Sequence, residues 1–310
     1  MTTRFAALLP LFCLLWLASC ENTSGPRFEG DVFTLAGLLV AGEPISLDNP
    51  VYITRSSAIE DFDPWQIFVA DASVTVMNLD NDAQFELIPA LHEMKIKYID
   101  PAGNIIQPEH SYRIEAQVPG YDELIWAQTT VPQSVALEPD PWGDNPPETG
   151  FSFDPGTQNV VHFEEINTQY PIVVNTHATE GTFNLFGETY CLEEFSTDLE
   201  FTEPVFGMEH PDESAEAAYN SGGRGLRRMS FMYRFVSSPL DGLEGNYLVL
   251  NNYSNAFIFY GRYRLKVYVI DDNYYNYSFM EDGYLHGGVR NALGYFGAAS
   301  GGIMYAEIVK

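Results

Sequence analysis

The chain has 310 residues, with 43 Asp and Glu against 15 Lys and Arg, and a formal net charge of −28 at pH 7. That balance argues against nucleic acid as a partner and against adsorption to an anionic lipid surface, since both need surplus basic charge. Hydrophobic residues make up 45%, normal for a packed core, and the length suits one large or two ordinary domains.

Residues 1–20 hold one charge, Arg4, then a nearly unbroken apolar run from Phe5 to Leu17, then Ala18, Ser19 and Cys20. A basic start, an apolar middle and small residues at a cut make a secretory signal. The run falls short of the roughly 20 apolar residues that a spanning helix needs, and Pro10 interrupts it. Leu17-Ala18-Ser19-Cys20 resembles the lipobox of bacterial lipoproteins. That resemblance implies a signal peptide over 1–19, cleavage between Ser19 and Cys20, and a diacylglycerol on the Cys20 thiol. The alternative is an ordinary signal peptide that happens to end in Cys. More than one acyl chain anchors stably, because each buried methylene contributes about 0.8 kcal/mol. Cys13 falls in the signal and Cys20 is taken by lipid, so Cys191 has no disulfide partner. In "ETYCLEEF" it reads as a strand residue with a buried, inert thiol rather than a nucleophile.

Residues 20–27 read as a lipidated tether. From 28 to 132 the pattern is short apolar runs broken by turns: "DVFTLAGLLV", "PVYITRS", "ASVTVMNL", "FELIP", "MKIKYID", "SYRIEAQV" and "ELIWAQTTV". In "SYRIEAQV", Tyr112, Ile114, Ala116 and Val118 share one face while Arg113, Glu115 and Gln117 take the other. About seven such strands predict a β-sandwich. Residues 133–150, rich in Pro, Gly and acid, read as a linker. Residues 151–310 return to strands and form a second, larger β domain. Within it, "GMEHPDESAEAAYNSGGRG" reads as a mobile loop. One short helix is expected near the C-terminus, capped by Asp271 or Asp272, with Tyr274, Tyr277 and Met280 on one face beside Phe279. The expected fold is all-β.

No catalytic or cofactor motif appears, and no cofactor is expected. Asp80 and Asp82 alternate as in a calcium loop, but the sixth and twelfth positions are Phe85 and Leu91 where an EF-hand needs Gly and Glu, so a hairpin turn is expected. In "HFEE", His162 and Glu164 would share a strand face with Glu165 opposite, which reads as a surface strand rather than a metal site. Two candidate ligand sites remain. Arg224, Arg227, Arg228 and Arg234 form the one basic cluster, suited to an anionic ligand or an acidic partner, or else to balancing the acidic loop before it. "LGYFGAASGG" offers Tyr295 and Phe296 among glycines, either as a ligand-contact loop or as a strand that bends and packs closely.

The lipobox Cys20, "GLLVAGEPI…VYITRS", "VADASVTVMN", "SYRIEAQVPGY…AQTTVP" and "NALGYFGAAS", in that order, resemble an uncharacterised lipoprotein family of the Bacteroidota, defined only as a domain of unknown function. The resemblance spans most of the chain after Cys20. It implies an outer-membrane lipoprotein, often encoded beside TonB-dependent receptors, whose first half is an immunoglobulin- or transthyretin-like sandwich. It implies no catalytic residues. Only Glu21 is acidic just after Cys20, where surface-exported lipoproteins of that phylum tend to carry a stronger acidic run, so both the periplasmic and the outward face stay open. The function expected is therefore a lipid-anchored, non-catalytic accessory or ligand-binding protein of the outer membrane, attached through its lipid and partnering a TonB-dependent transporter. The alternatives are a surface structural or adhesive module and a glycan or peptide hydrolase.

Overall fold

The computed structural model describes residues 32–57, 66–177, 180–221 and 225–310. The signal, Ser19, Cys20 and the tether lie outside them, as does Arg224. Among the described residues no helix is long and apolar enough to cross a membrane.

The fold is all-β, as alternation predicts. The first strands are β1 (Phe33–Val40), β2 (Val51–Arg55), β3 (Ser73–Asn78), β4 (Gln84–His92), β5 (Lys95–Ile99), β6 (Ser111–Gln117) and β7 (Ile125–Thr130). They form a sandwich because β4 turns a corner. Its residues 84–87 pair with β3, and residues 88–92 pair with β5. Pro89 follows the switch and has no N–H to give to a continuous ladder. The first hydrophobic core fills the sandwich, with Leu35, Ile53, Val76, Tyr98, Ile114 and Ile125 all but inaccessible to solvent. Buried Tyr98 keeps its hydroxyl satisfied by donating to the Val69 carbonyl at 3.0 Å and accepting from the Ala72 amide at 3.1 Å. The candidate calcium loop is a hairpin turn: the Asn78 amide donates to the Ala83 carbonyl at 2.8 Å, and Asn78 Oδ1 accepts from the Asp80 amide.

The rest of the chain adds β8 (Ala136–Leu137), β9 (Val160–His162), α1 (Ile166–Gln169), β10 (Ile172–Asn175), β11 (Thr182–Cys191), α2 (Glu216–Asn220), β12 (Arg228–Val236), β13 (Tyr247–Leu250), β14 (Gly261–Ile270), α3 (Asp272–Phe279) and β15 (Leu293–Val309). The main sheet runs in the order β12-β11-β14-β15-β1-β2-β5-β4-β3-β6-β7, with β9 also on β15. A small sheet, β13-β10-β8, supplies Val174, Leu248 and Leu137 to a second core shared with Leu185, Leu265, Val267 and Met304 of the large one.

The 17-residue β15 joins the two cores. Its residues 293–299 run parallel to β1, and residues 299–308 run antiparallel to β14. Glycines near the handover allow close packing there. A Cβ on Gly301 would collide with the Val267 carbonyl oxygen, and one on Gly297 would stand 2.7 Å from Tyr274 Cβ of α3. Only glycine lets the backbone come so close.

Three local expectations are corrected. Residues 213–220 form a 3-10 turn and α2, started by Asp212, whose side chain accepts from the Ser214 amide, and held by buried Tyr219. The Ala-rich run 215–218 favours helix over loop. Residues 163–165 of "HFEE" form a 3-10 turn directly after β9, so strand alternation ends at His162. In the segment read as a linker, Ala136 and Leu137 pair with β10, and Leu137 is buried.

The predicted C-terminal helix is α3. Asp271 is its N-cap, accepting from the Tyr274 amide at 3.1 Å. Tyr274 and Tyr277 both pack on Tyr295, with ring centroids 5.0 and 4.6 Å away. Met280 does not continue that face, because the helix ends at Phe279 and both residues are exposed.

Candidate functional site

Strand alternation on β11, β12 and β14 sends Leu185, Cys191, Leu265 and Val267 into the second core. The residues between them point to the opposite face. In register, Tyr190 lies between Arg228 and Arg264, and Glu188 lies between Ser230 and Lys266. At one end this outer face is covered by α3, where Tyr274 and Tyr275 sit over Phe186, Tyr268 and Ile270. Beyond the helix the face turns cationic.

Three guanidinium groups surround one ring. The central carbons of Arg227, Arg264 and Arg228 lie 4.7, 5.1 and 5.3 Å from the Tyr190 centroid. A cation over an aromatic face gains about 0.5–2 kcal/mol, which offsets part of the repulsion among the three. Glu188 Oε2 stands 3.7 Å from Arg228 Nε and is the one carboxylate in ion-pair range of Arg228, Arg264 or Lys266 among the described residues. The Nε atoms of Arg228 and Arg264 are buried and have no hydrogen-bond partner there. Burial pulls the Lys266 ammonium below its usual pKa; Arg264 and Arg228 push the same way, while Glu188 and Glu43 oppose. A sheet face with more cations than carboxylates favours an incoming carboxylate or phosphate.

The neighbouring cations are already engaged. Arg227 Nε donates to the Cys191 carbonyl at 2.9 Å and its guanidinium also faces the Tyr219 ring at 5.4 Å. Arg234 pairs with Asp272 at 3.3 Å and lies over Tyr275 at 5.0 Å. Arg262 holds Glu193 at 2.8 Å, and that hydrogen bond keeps the Glu193 carboxyl below its usual pKa.

Of the residues singled out from sequence, Arg227 and Arg228 meet at Tyr190. Tyr295 and Phe296 lie elsewhere and are not in a loop. Both are in β15, with Phe296 fully buried in the first core and Tyr295 beneath α3. Arg264, Lys266, Glu188 and Tyr190 were missed, although "GRYRLKVYVID" places Arg262, Arg264 and Lys266 at period two on one strand face. Cys191 is fully buried, and burial raises its thiol pKa despite hydrogen bonds from Tyr219 and Tyr263 that act the other way. It is unsuited to nucleophilic attack.

Two hollows lie away from the cluster. One, of about 430 Å³, is lined by Gln128, Thr129, Thr130, Asp271, Asp272 and Asn273. Its acids are engaged: Thr129 donates to Asp271 at 2.5 Å and Asn184 to Asp272 at 3.0 Å. The other, of about 450 Å³, lies between Glu193, Tyr260 and Glu307. No group of three or more metal-ligating side chains occurs among the described residues.

Residues 37–301 match the model of a family described as a domain of unknown function (DUF4249). No curated protein matches the chain. The family match covers well over half of the sequence, so the chain belongs to that family.

Proposed function

We propose that this member of the DUF4249 family is a lipid-anchored, non-catalytic binding or accessory protein of the outer membrane that works beside a TonB-dependent transporter. The anchor is Cys20, supported by the lipobox pattern at the boundary between apolar and polar sequence. The transporter rests on the resemblance described above. The observation that carries the binding role is the cationic face around Tyr190. In a chain of net charge −28, Arg228, Arg264 and Lys266 gather on one sheet face, with Glu188 the one carboxylate in ion-pair range among the described residues. That surface suits acidic groups on a partner or ligand.

Each part has its own test. Cells fed a clickable palmitate analogue should label the wild-type protein and not Cys20→Ala, which should move to the detergent-free aqueous phase. An unlabelled, aqueous wild type removes the anchor. Cross-linking in intact cells, then purification in mild detergent, should recover a β-barrel transporter, and recovery of none removes that partner. Inorganic polyphosphate should bind the wild type and be weakened by Arg264→Gln. Equal binding by the variant removes the cationic face as the site.

A further inference from the structure

We propose that the partner recognised at this face is an extended, acidic segment of another protein that adds as a strand to the open edge of β12. The inference rests on the cationic face being the binding surface and names what occupies it.

The edge is built for pairing. β12 ends the large sheet, and among the described residues it pairs only with β11, along all nine of its residues. Which backbone groups are free follows from two hydrogen bonds. The Cys191 amide donates to the Arg227 carbonyl, and the Ser237 amide donates to the Gly181 carbonyl, both at 2.9 Å. In an antiparallel pair the residues that exchange main-chain bonds alternate with those that do not. The odd positions from 227 to 237 therefore face β11. Ser230, Met232, Arg234 and Val236 turn their N–H and C=O groups outward, and none of their amides has an acceptor among the described residues. Arg228 is already closed by the Gly225 carbonyl at 3.0 Å. Sheet edges are usually blocked by proline, a bulge, a short strand or charges pointing inward. "RMSFMYRFV" is nine residues long, has no proline, and carries its two arginines on the outer face.

Side chains define the segment that fits. On the outer face a new strand would lie beside Arg228, Ser230, Met232 and Arg234, with Arg264 and Lys266 behind them. On the other face it would lie beside Phe231, Tyr233 and Phe235, two of them in aromatic contact with Tyr233 at 6.0 and 5.7 Å. Acid on one face and apolar or β-branched residues on the other match this edge. A second copy of β12 matches worse, since antiparallel self-pairing would bring four arginines onto one face.

The test uses the mature protein and a synthetic nine-residue peptide with Glu at alternate positions and Val or Thr between. Ser230→Pro removes one outward N–H while leaving the β11 ladder whole, and proline is tolerated on such an edge. The peptide should bind the wild type, slow hydrogen exchange at the amides of 230, 232, 234 and 236, and lose about tenfold in affinity with Ser230→Pro, the effect of one or two main-chain hydrogen bonds. Binding without protection at those amides, or equal binding by Ser230→Pro, overturns the strand addition. So does failure of the peptide to bind, or a dimer through β12 in sedimentation that Ser230→Pro dissolves. If polyphosphate binding is lost in Arg264→Gln while the peptide never binds, the strand addition falls and the cationic face stands. If neither probe binds, both fall.

Discussion

Replacing Phe296 by Ala is expected to destabilise the whole molecule, though the residue belongs to a stretch that also reads as a ligand loop. Phe296 is 0% exposed and packs in the first core over Gly37. A buried Phe removes about 200 Å² from water, which at about 25 cal/mol per Å² is roughly 5 kcal/mol at most. Alanine keeps part of that and leaves a cavity, so the expected loss is about 3–5 kcal/mol. At roughly 2.1 cal/mol/K of unfolding entropy per residue, a protein of about 290 residues loses somewhat under 2 °C of Tm per kcal/mol, which places the drop at about 5–8 °C. β15 is hydrogen-bonded to β1 in one core and to β14 in the other. Both cores should therefore unfold together in the variant, in one transition. Urea denaturation of a Trp65→Phe, Trp142→Phe background, followed by far-ultraviolet circular dichroism and by fluorescence of Trp126 on β7 of the first sandwich, measures both points. A loss below about 1 kcal/mol, as expected of an exposed residue, would refute the burial argument. Two separated transitions would refute the coupling through β15.

Other outcomes follow from the same structure. A Cβ on Gly301 meets the Val267 carbonyl, so Gly301→Ala should cost about 2 kcal/mol or more, read from the urea midpoint at constant m-value. Burial raises the Cys191 thiol above its usual pKa; with a thiol reagent at pH 8 it should react only after unfolding, and stoichiometric reaction in native buffer would contradict this. Burial also raises the Asp271 carboxyl above its usual range, despite the donors around it. The folded state therefore holds that proton longer than the unfolded chain, so the Asp271 contribution favours folding below its unfolded pKa and is lost as pH rises through the folded value. Urea midpoints between pH 3.5 and 6.5 should show the wild type losing stability relative to Asp271→Asn as pH rises; parallel curves would contradict the burial.

What could be read from sequence was whatever depends on near neighbours in the chain. Period-two alternation located the strands of the first sandwich, and the Asp-rich start located α3 through its cap. Near-neighbour patterns also misled. "ESAEAAYN" is polar enough to resemble a loop, but its alanines favour helix, and the burial of Tyr219 against Phe195 and Phe259 anchors that helix to the core. The cationic face fails for a related reason. Arg228 and Arg264 are 36 positions apart, and what brings them together is that both β12 and β14 pair with β11 at Tyr190. The register of two long-range pairings is not encoded at either arginine. It is set by the core side of the same strands, where Leu185, Leu265 and Val267 must be buried together. A one-residue slip would put Lys266 and Glu188 in the core and those aliphatics in water. The same hydrophobic constraint that makes the sheet therefore fixes the charge pattern on its outer face. Changes to core residues of β11 or β14 that shift register should disturb binding at Tyr190 without touching any residue of the site.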